Sequence, residues 1–105
     1  MPSSRTFVGV VFGGASEEHN VSIKSAITIL SALESGVNAT RFVATPIYID
    51  LQGRWWPADI ARQALSKGFA LTEEELPLPL IPSGFNDLPQ GSAQIQVWYP
   101  VLHGP

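Results

Sequence analysis

The sequence predicts an α/β domain in which helices flank a mostly parallel sheet. Residues 6–12 (TFVGVVF) form a continuous apolar and β-branched run, which is typical of a strand buried on both faces. Gly13 and Gly14 follow this run, and residues 23–33 then carry apolar side chains at the spacing of one helix face. A strand, a glycine turn and a helix in this order open a βαβ unit.

The first helix is expected to pack one apolar face against the sheet. Asn20 or Ser22 suits its N-cap, and Gly36 suits its C-terminal stop. The face that should contact the sheet consists of Ile23, Ala26, Ile27, Leu30 and Leu33.

A second apolar run, residues 41–49 (RFVATPIYI), predicts another strand and is followed by a hairpin. Pro46 lies inside this run, and proline has no N–H to donate to a neighbouring strand. The strand should therefore lie near a sheet edge or carry a bulge at that position. Residues 50–53 (DLQG) predict a turn, and residues 54–56 predict a short returning strand.

One more helix and one more clear strand are predicted beyond the hairpin. The helix should begin at residues 57–59, continue to residue 65 and stop at Gly68. Residues 71–92 are rich in proline and predict irregular chain with a short strand at residues 78–81. Residues 94–99 (QIQVWY) alternate polar and apolar side chains, which predicts a third strand.

Composition narrows the class of protein. The chain has 105 residues, of which 45% are hydrophobic and 14% charged, which excludes a disordered protein and fits one small domain. Six basic residues against nine acidic ones offer no basic patch to a nucleic acid. The absence of cysteine excludes disulfides and cysteine-based zinc sites, and no run approaches the ~20 apolar residues of a membrane span. A cytoplasmic protein without a nucleic-acid or membrane partner is predicted.

The segment at residues 13–22 (GGASEEHNVS) is the first candidate site. It follows a buried strand and leads into a helix, at the edge where open α/β sheets bind ligands. Its glycines, Gly13 and Gly14, allow the turn. Glu17 and Glu18 would repel a phosphate, and the spacing matches no phosphate-binding motif, so a cationic group such as a substrate ammonium is the better ligand. The alternative is an ordinary βα turn with solvated acids.

His103 is the second candidate. It follows the strand predicted at residues 94–99, so a parallel sheet would bring it to the same edge as Glu18. A glutamate and a histidine in one cleft could orient a substrate or exchange protons, while the simpler alternative is a histidine that ends a strand. No second histidine lies at metal-ligand spacing from His19, so no metal site is predicted.

Two segments resemble signatures of the D-alanine–D-alanine ligases. Residues 11–26 (VFGGASEEHNVSIKSA) closely resemble the family's opening pattern, a strand followed by Gly-Gly-x-Ser-x-Glu-His-x-Val-Ser-x-x-Ser-Ala. Residues 100–105 (PVLHGP) resemble the start of the next signature, a His-Gly that precedes a Gly-Glu-Asp-Gly run absent from this chain. The resemblance covers essentially the whole chain and outweighs the simpler interpretations of both sites.

The resemblance implies a Rossmann-like, pre-ATP-grasp domain. Residues 1–105 would be the N-terminal domain, and the central and C-terminal ATP-grasp domains would be missing, so the chain is expected to be inactive alone. The full enzyme would use ATP with Mg²⁺ or Mn²⁺, neither of which is expected to bind this fragment. Its implied partners are D-alanine, the remainder of the ligase chain and a second copy in a homodimer.

The resemblance also implies roles for individual residues. Glu18 would engage the α-ammonium of the first D-alanine, and His103 would lie near that substrate's carboxylate and acyl phosphate; both count as catalytic. Val21 and Ser22 would line or support the same pocket. The implied reaction phosphorylates one D-alanine at the expense of ATP, after which the amine of a second D-alanine displaces phosphate. Two alternatives stay open: a D-Ala–D-lactate or D-Ala–D-Ser ligase, and a non-catalytic folding or dimerisation module.

Overall fold

The computed structural model describes residues 5–14, 17–76 and 92–101. Within these ranges the chain forms a four-stranded, mostly parallel sheet with helices packed against it, which confirms the predicted α/β class. The strand predicted at residues 78–81 and the candidate residue His103 lie outside the described residues. In the same ranges, none of the helices has the length and apolar character needed to cross a bilayer.

The sheet is built around its first strand. Strand β1 (Thr6–Gly13) pairs in parallel with β2 (Phe42–Ile49) on one side and with β4 (Val97–Val101) on the other. Strand β3 (Trp55–Trp56) pairs antiparallel with the end of β2, so the strand order is β3-β2-β1-β4. The central position of β1 explains why its sequence is apolar at nearly every residue.

The two faces of β1 pack into different hydrophobic clusters. Val8, Val10 and Phe12 point toward the helices and belong to the main core. Val11 lies on the opposite face in a smaller cluster with residues of β2. Gly9 shares that face, and a Cβ there would lie only 2.7 Å from Ile95 Cδ1, so the missing side chain lets Ile95 close over the strand.

Helix α1 (His19–Leu33) begins before either predicted N-cap. Glu18 is the N-cap residue, and its carbonyl accepts the Ser22 N–H at 2.9 Å. Asn20 and Ser22 are instead used elsewhere, because the Asn20 Oδ1 accepts the Ala70 N–H and the Ser22 hydroxyl lies between two strand ends. The side chains of both predicted caps therefore bond to tertiary neighbours rather than to the first turn of the helix.

The packed face of α1 is narrower than predicted. Ile23, Ala26 and Leu30 are buried, and Leu33 packs against the same core. Ile27 is 40% exposed, because at 100° per residue it lies at the margin of the stripe that the other four define.

For the remaining helices, the prediction for Gly36 is wrong and the prediction for Gly68 is confirmed. Gly36 does not end α1 but is the first residue of a short helix α2 (Gly36–Arg41), in which it adopts φ +55. Helix α3 (Ala58–Lys67) follows Pro57 and ends at Gly68 in the left-handed conformation, as predicted.

Prolines are accommodated near the sheet edges. Pro46 lies opposite Val10 in an unbroken register, so β2 has no bulge. Among the described residues, β3 pairs only with the last two residues of β2, so the side of β2 that faces away from β1 has no strand partner at Pro46. Strand β4 starts three residues later than predicted, because Gln94 belongs to a 3-10 turn, and it continues through Pro100. Proline is tolerated there because β4 is an edge strand of the described sheet.

The turn between β2 and β3 is built on a buried carboxylate. Asp50 is fully buried, and its Oδ1 accepts the backbone N–H groups of Gln52 (2.8 Å) and Arg54 (3.0 Å). Its Oδ2 accepts Arg54 Nε at 2.7 Å and Trp56 Nε1 at 2.8 Å. Burial alone raises the pKa of the Asp50 carboxyl, but the hydrogen bonds from Trp56, Arg54 and Gln52 outweigh it and hold the pKa below its ordinary value.

We predict that Asp50→Asn lowers the free energy of unfolding by about 1.5–3 kcal/mol, because Arg54 and Trp56 lose their charged acceptor. Urea denaturation at pH 7 measures the loss, with the exposed Asp59→Asn as control. Because the folded pKa is lowered, the carboxylate's contribution is complete above the unfolded pKa of about 3.9 and is lost as the pH falls through the folded value. The difference between wild type and variant should therefore shrink at low pH, and equal stability at pH 7 would contradict the prediction.

Candidate functional site

The turn after β1 has a backbone that only glycine fits. Gly13 and Gly14 adopt φ values of +98 and +97, a region that residues with a side chain rarely occupy. The Gly14 N–H donates to the carbonyl oxygen of Ile49 at 2.8 Å. A Cβ on Gly13 would overlap that same oxygen, so the turn lies directly against the end of β2.

Glu18 lies at the carboxyl edge of the sheet, at the point where the chain enters α1. Glu17 and Glu18 are both exposed. A carboxylate next to a helix N-terminus interacts favourably with the helix dipole. The position therefore suits recognition of a cationic group from solution.

Ser22 and Val21 are neighbours with opposite environments. Ser22 is fully buried, and its hydroxyl accepts the Gly13 N–H at 2.9 Å and donates to the carbonyl of Val101. Both backbone groups lie at strand ends, so the hydroxyl joins the turn after β1 to the end of β4. Val21 is 46% exposed at the same edge, where its side chain can contact a ligand and the Ser22 hydroxyl cannot.

The strand before His103 ends at the same edge as the Glu18 turn. Phe12 pairs with Val101 in the parallel register, and Val101 stands two positions before His103 in the sequence. The structure thus brings together Gly13, Ser22 and the end of β4. His103 itself is outside the described residues, and its meeting with Glu18 stays a prediction.

Two buried residues of this region were given no role by sequence reasoning, although His19 lies within the motif at residues 11–26. His19 is 3% exposed; its Nδ1 contacts the carbonyl of Gly14 and its Nε2 lies 2.8 Å from Tyr48 Oη. Tyr48 is fully buried, and its Oη accepts the Leu71 N–H at 3.1 Å. Burial raises the pKa of Tyr48 to about 12. No sequence pattern links positions 19 and 48, because they belong to different elements and meet only through the parallel pairing of β1 and β2.

The described residues do not fit a magnesium or nucleotide-phosphate site. In the three described ranges no group of three His, Cys, Asp or Glu side chains is arranged to hold a metal ion. The entry to α1, which could attract a phosphate through its N–H groups, carries two acidic residues instead. The arrangement favours a cationic ligand over an anionic one.

Comparison with known families agrees with this geometry. The family model described as D-ala D-ala ligase N-terminus matches residues 7–105. The chain belongs to this family. Two relatives named D-alanine–D-alanine ligase match it over all 105 residues: one from Prochlorococcus marinus (strain MIT 9313) at 63% identity and one from Synechococcus sp. (strain CC9311) at 54%. In both cases the chain spans 30% of the relative's length.

Solved structures of related ligases have a similar fold. The D-alanine–D-alanine ligase of Coxiella burnetii is 31% identical with a TM-score of 0.50, over 61% of this chain and 17% of that one. A D-Ala:D-Ser ligase from Enterococcus faecalis has a TM-score of 0.53 over 95% of this chain and 29% of that one. At 24% identity the second likeness concerns the fold alone.

We predict that Gly13→Ala destabilises this domain of the ligase family more than Gly53→Ala does. Both glycines have positive φ, which costs roughly 1–3 kcal/mol for alanine. A Cβ at Gly53 (φ +83) meets open space, whereas one at Gly13 meets the Ile49 carbonyl. Urea denaturation of the two variants in parallel tests the difference, and equal losses would mean that Ile49 does not restrict position 13.

Proposed function

We propose that this chain is the N-terminal, substrate-positioning domain of an ATP-dependent D-alanine–D-alanine ligase that serves peptidoglycan synthesis. In this proposal residues 1–105 bind the first D-alanine, and the ATP-grasp domains belong to the remainder of the ligase. The observation that carries the proposal is the family match over residues 7–105, together with relatives of that name at 63% identity.

Glu18 is assigned to the α-ammonium of the first D-alanine. The assignment is supported by an exposed carboxylate at the entry to α1, on the sheet edge where α/β domains bind ligands. A charge-assisted hydrogen bond from the ammonium would hold the substrate without taking part in proton transfer. The contribution of this domain to the reaction is thus orientation of one reactant.

His103 is assigned to the carboxylate end of the same D-alanine, the end that becomes the acyl phosphate. This assignment rests on the resemblance of residues 100–105 to the family signature and on the parallel direction of β4. Val21 is assigned to the pocket wall because it is exposed beside Glu18. Ser22 is assigned a supporting role, because both of its hydrogen bonds go to buried backbone.

ATP and its divalent cation, Mg²⁺ or Mn²⁺, are assigned to the remainder of the ligase. The family chemistry requires them, and the described part of this chain does not offer the ligands. A cytoplasmic location and a homodimer complete the proposal, because the family acts on soluble D-alanine and its members associate. The remainder of the ligase chain and D-alanine are then the partners of this domain.

A D-Ala–D-Ser or D-Ala–D-lactate ligase is the second candidate function, because one structural neighbour is a D-Ala:D-Ser ligase. Phosphate release and product identity should be measured with the full-length ligase chain, supplying D-alanine alone and then with D-serine or D-lactate. D-Ala–D-Ala as the main product supports the first proposal. A mixed product would favour the second candidate, and no D-alanine-dependent turnover would favour a non-catalytic module.

We predict that Glu18→Gln in the full-length chain weakens the apparent affinity for the first D-alanine roughly tenfold to a hundredfold. The glutamine keeps the shape but loses the charge that faces the ammonium, and such a bond contributes roughly 1.5–3 kcal/mol. The KM for ATP should hardly change. Steady-state kinetics with each substrate varied in turn measure both constants.

The matched control for Glu18→Gln is Glu17→Gln, which removes the same charge one position earlier in the same exposed segment. Glu17→Gln should leave the KM for D-alanine within about twofold of wild type, because an exposed charge outside a direct contact is largely screened. An unchanged D-alanine KM and kcat in Glu18→Gln would refute the assignment of Glu18.

A further inference from the structure

His19 and Tyr48 form a buried hydrogen-bonded pair, and His19 is the chain neighbour of the residue proposed to bind the substrate ammonium. His19 Nε2 and Tyr48 Oη are 2.8 Å apart, and the two rings meet edge to face with centroids 5.3 Å apart. His19 follows Glu18 in the chain and is the first residue of α1. Both side chains are buried, so neither is placed in direct contact with the substrate.

The backbone partners of this pair determine which atoms donate and which accept. The Leu71 N–H can only donate, so Tyr48 Oη accepts it; the Gly14 carbonyl can only accept, so His19 Nδ1 carries the proton. With the ring neutral, Nε2 is left as an acceptor, and the Tyr48 hydroxyl donates to it. Each of these buried groups then has a hydrogen-bond partner.

The pair connects four parts of the fold. Tyr48 lies near the end of β2, Gly14 closes the turn after β1, His19 begins α1, and Leu71 belongs to the segment after α3. A second contact reinforces the last connection, because Asn20 Oδ1 accepts the Ala70 N–H at 3.0 Å. The first turn of α1 is therefore held from both sides.

We propose that Tyr48 and His19 are positioning residues that set the location of the Glu18 carboxylate. The proposal rests on the proposed function of Glu18. Because the His19 ring is anchored at both nitrogens, the backbone from which Glu18 extends has a fixed position relative to the strand ends. Small displacements of a positioned group reduce rates strongly, so a loss of this anchor should be measurable at the substrate.

The test is Tyr48→Phe in the full-length ligase chain. Phenylalanine keeps the ring packing against Phe12, whose centroid is 5.5 Å away, but it leaves His19 Nε2 and the Leu71 N–H without their partner. The expected result is a rise of about two- to tenfold in the KM for the first D-alanine, the size of the lost hydrogen bond between Tyr48 and His19, with an unchanged KM for ATP. Tyr99→Phe, at an exposed position of β4, is the matched control and should match wild type.

A double-mutant cycle with Glu18→Gln separates positioning from a purely structural role. If Tyr48 acts through Glu18, then Tyr48→Phe has no further effect on the D-alanine KM once the Glu18 charge is gone. Independent effects that multiply in the double variant would overturn the proposal. So would a D-alanine KM in Tyr48→Phe equal to that of wild type.

Two measurements keep the outcomes distinguishable. Wild-type enzyme without D-alanine-dependent phosphate release would reject the proposed function, whereas an active wild type with an unaffected Tyr48→Phe would reject only the positioning role. If Tyr48→Phe does not fold, His19→Gln takes its place in the cycle, because glutamine removes the bond to Gly14 and can still reach Tyr48. The same dependence on Glu18 is expected of that variant, and its absence would overturn the proposal.

Discussion

The parallel pairing of β1 with β2 and β4 is the constraint on which the candidate site depends. It brings three strand ends to one edge of the sheet, and each end leaves buried backbone groups that need hydrogen-bond partners. The Gly14 N–H donates to the Ile49 carbonyl, and the His19 ring donates to the Gly14 carbonyl. The Ser22 hydroxyl accepts the Gly13 N–H and donates to the Val101 carbonyl. The turn after β1 is thus shaped by the requirements of the strand ends.

This requirement divides the residues of one short segment into two groups. Ser22 and His19 point inward and hold the backbone, while Glu18 and Val21 are exposed at the edge. The division follows from the helical period, because α1 begins at His19 and side chains three or four positions apart, such as those of His19 and Ser22, lie on the same face, toward the sheet. A segment that resembles a ligand-binding motif along its whole length therefore contains residues that can bind a ligand and residues that can only support the binding ones.

Most of the fold follows from local patterns in the sequence. The apolar run of β1, the glycine stop of α3 and the turn at Asp50 are all recognisable because each depends on a few neighbouring residues. The start of α1 and the bounds of β4 were predicted incorrectly, because they depend on residues far away in the chain. Ser22 and Asn20 look like caps by type, but their side chains bond to groups far away in the chain. The alternation predicted for the third strand stops before β4, where residues 97–100 are all exposed.

For the candidate site, the sequence by itself determined the residue types at the sheet edge: two glycines where the turn requires them, and acidic side chains that favour a cationic ligand over a phosphate. Only the tertiary structure decided that His19 meets Tyr48 and that Ser22 joins the ends of β1 and β4. The physical reason is that glycine conformation and charge are local properties. A buried hydrogen bond between residues 29 or 79 positions apart exists only after parallel pairing has aligned the strands that carry them.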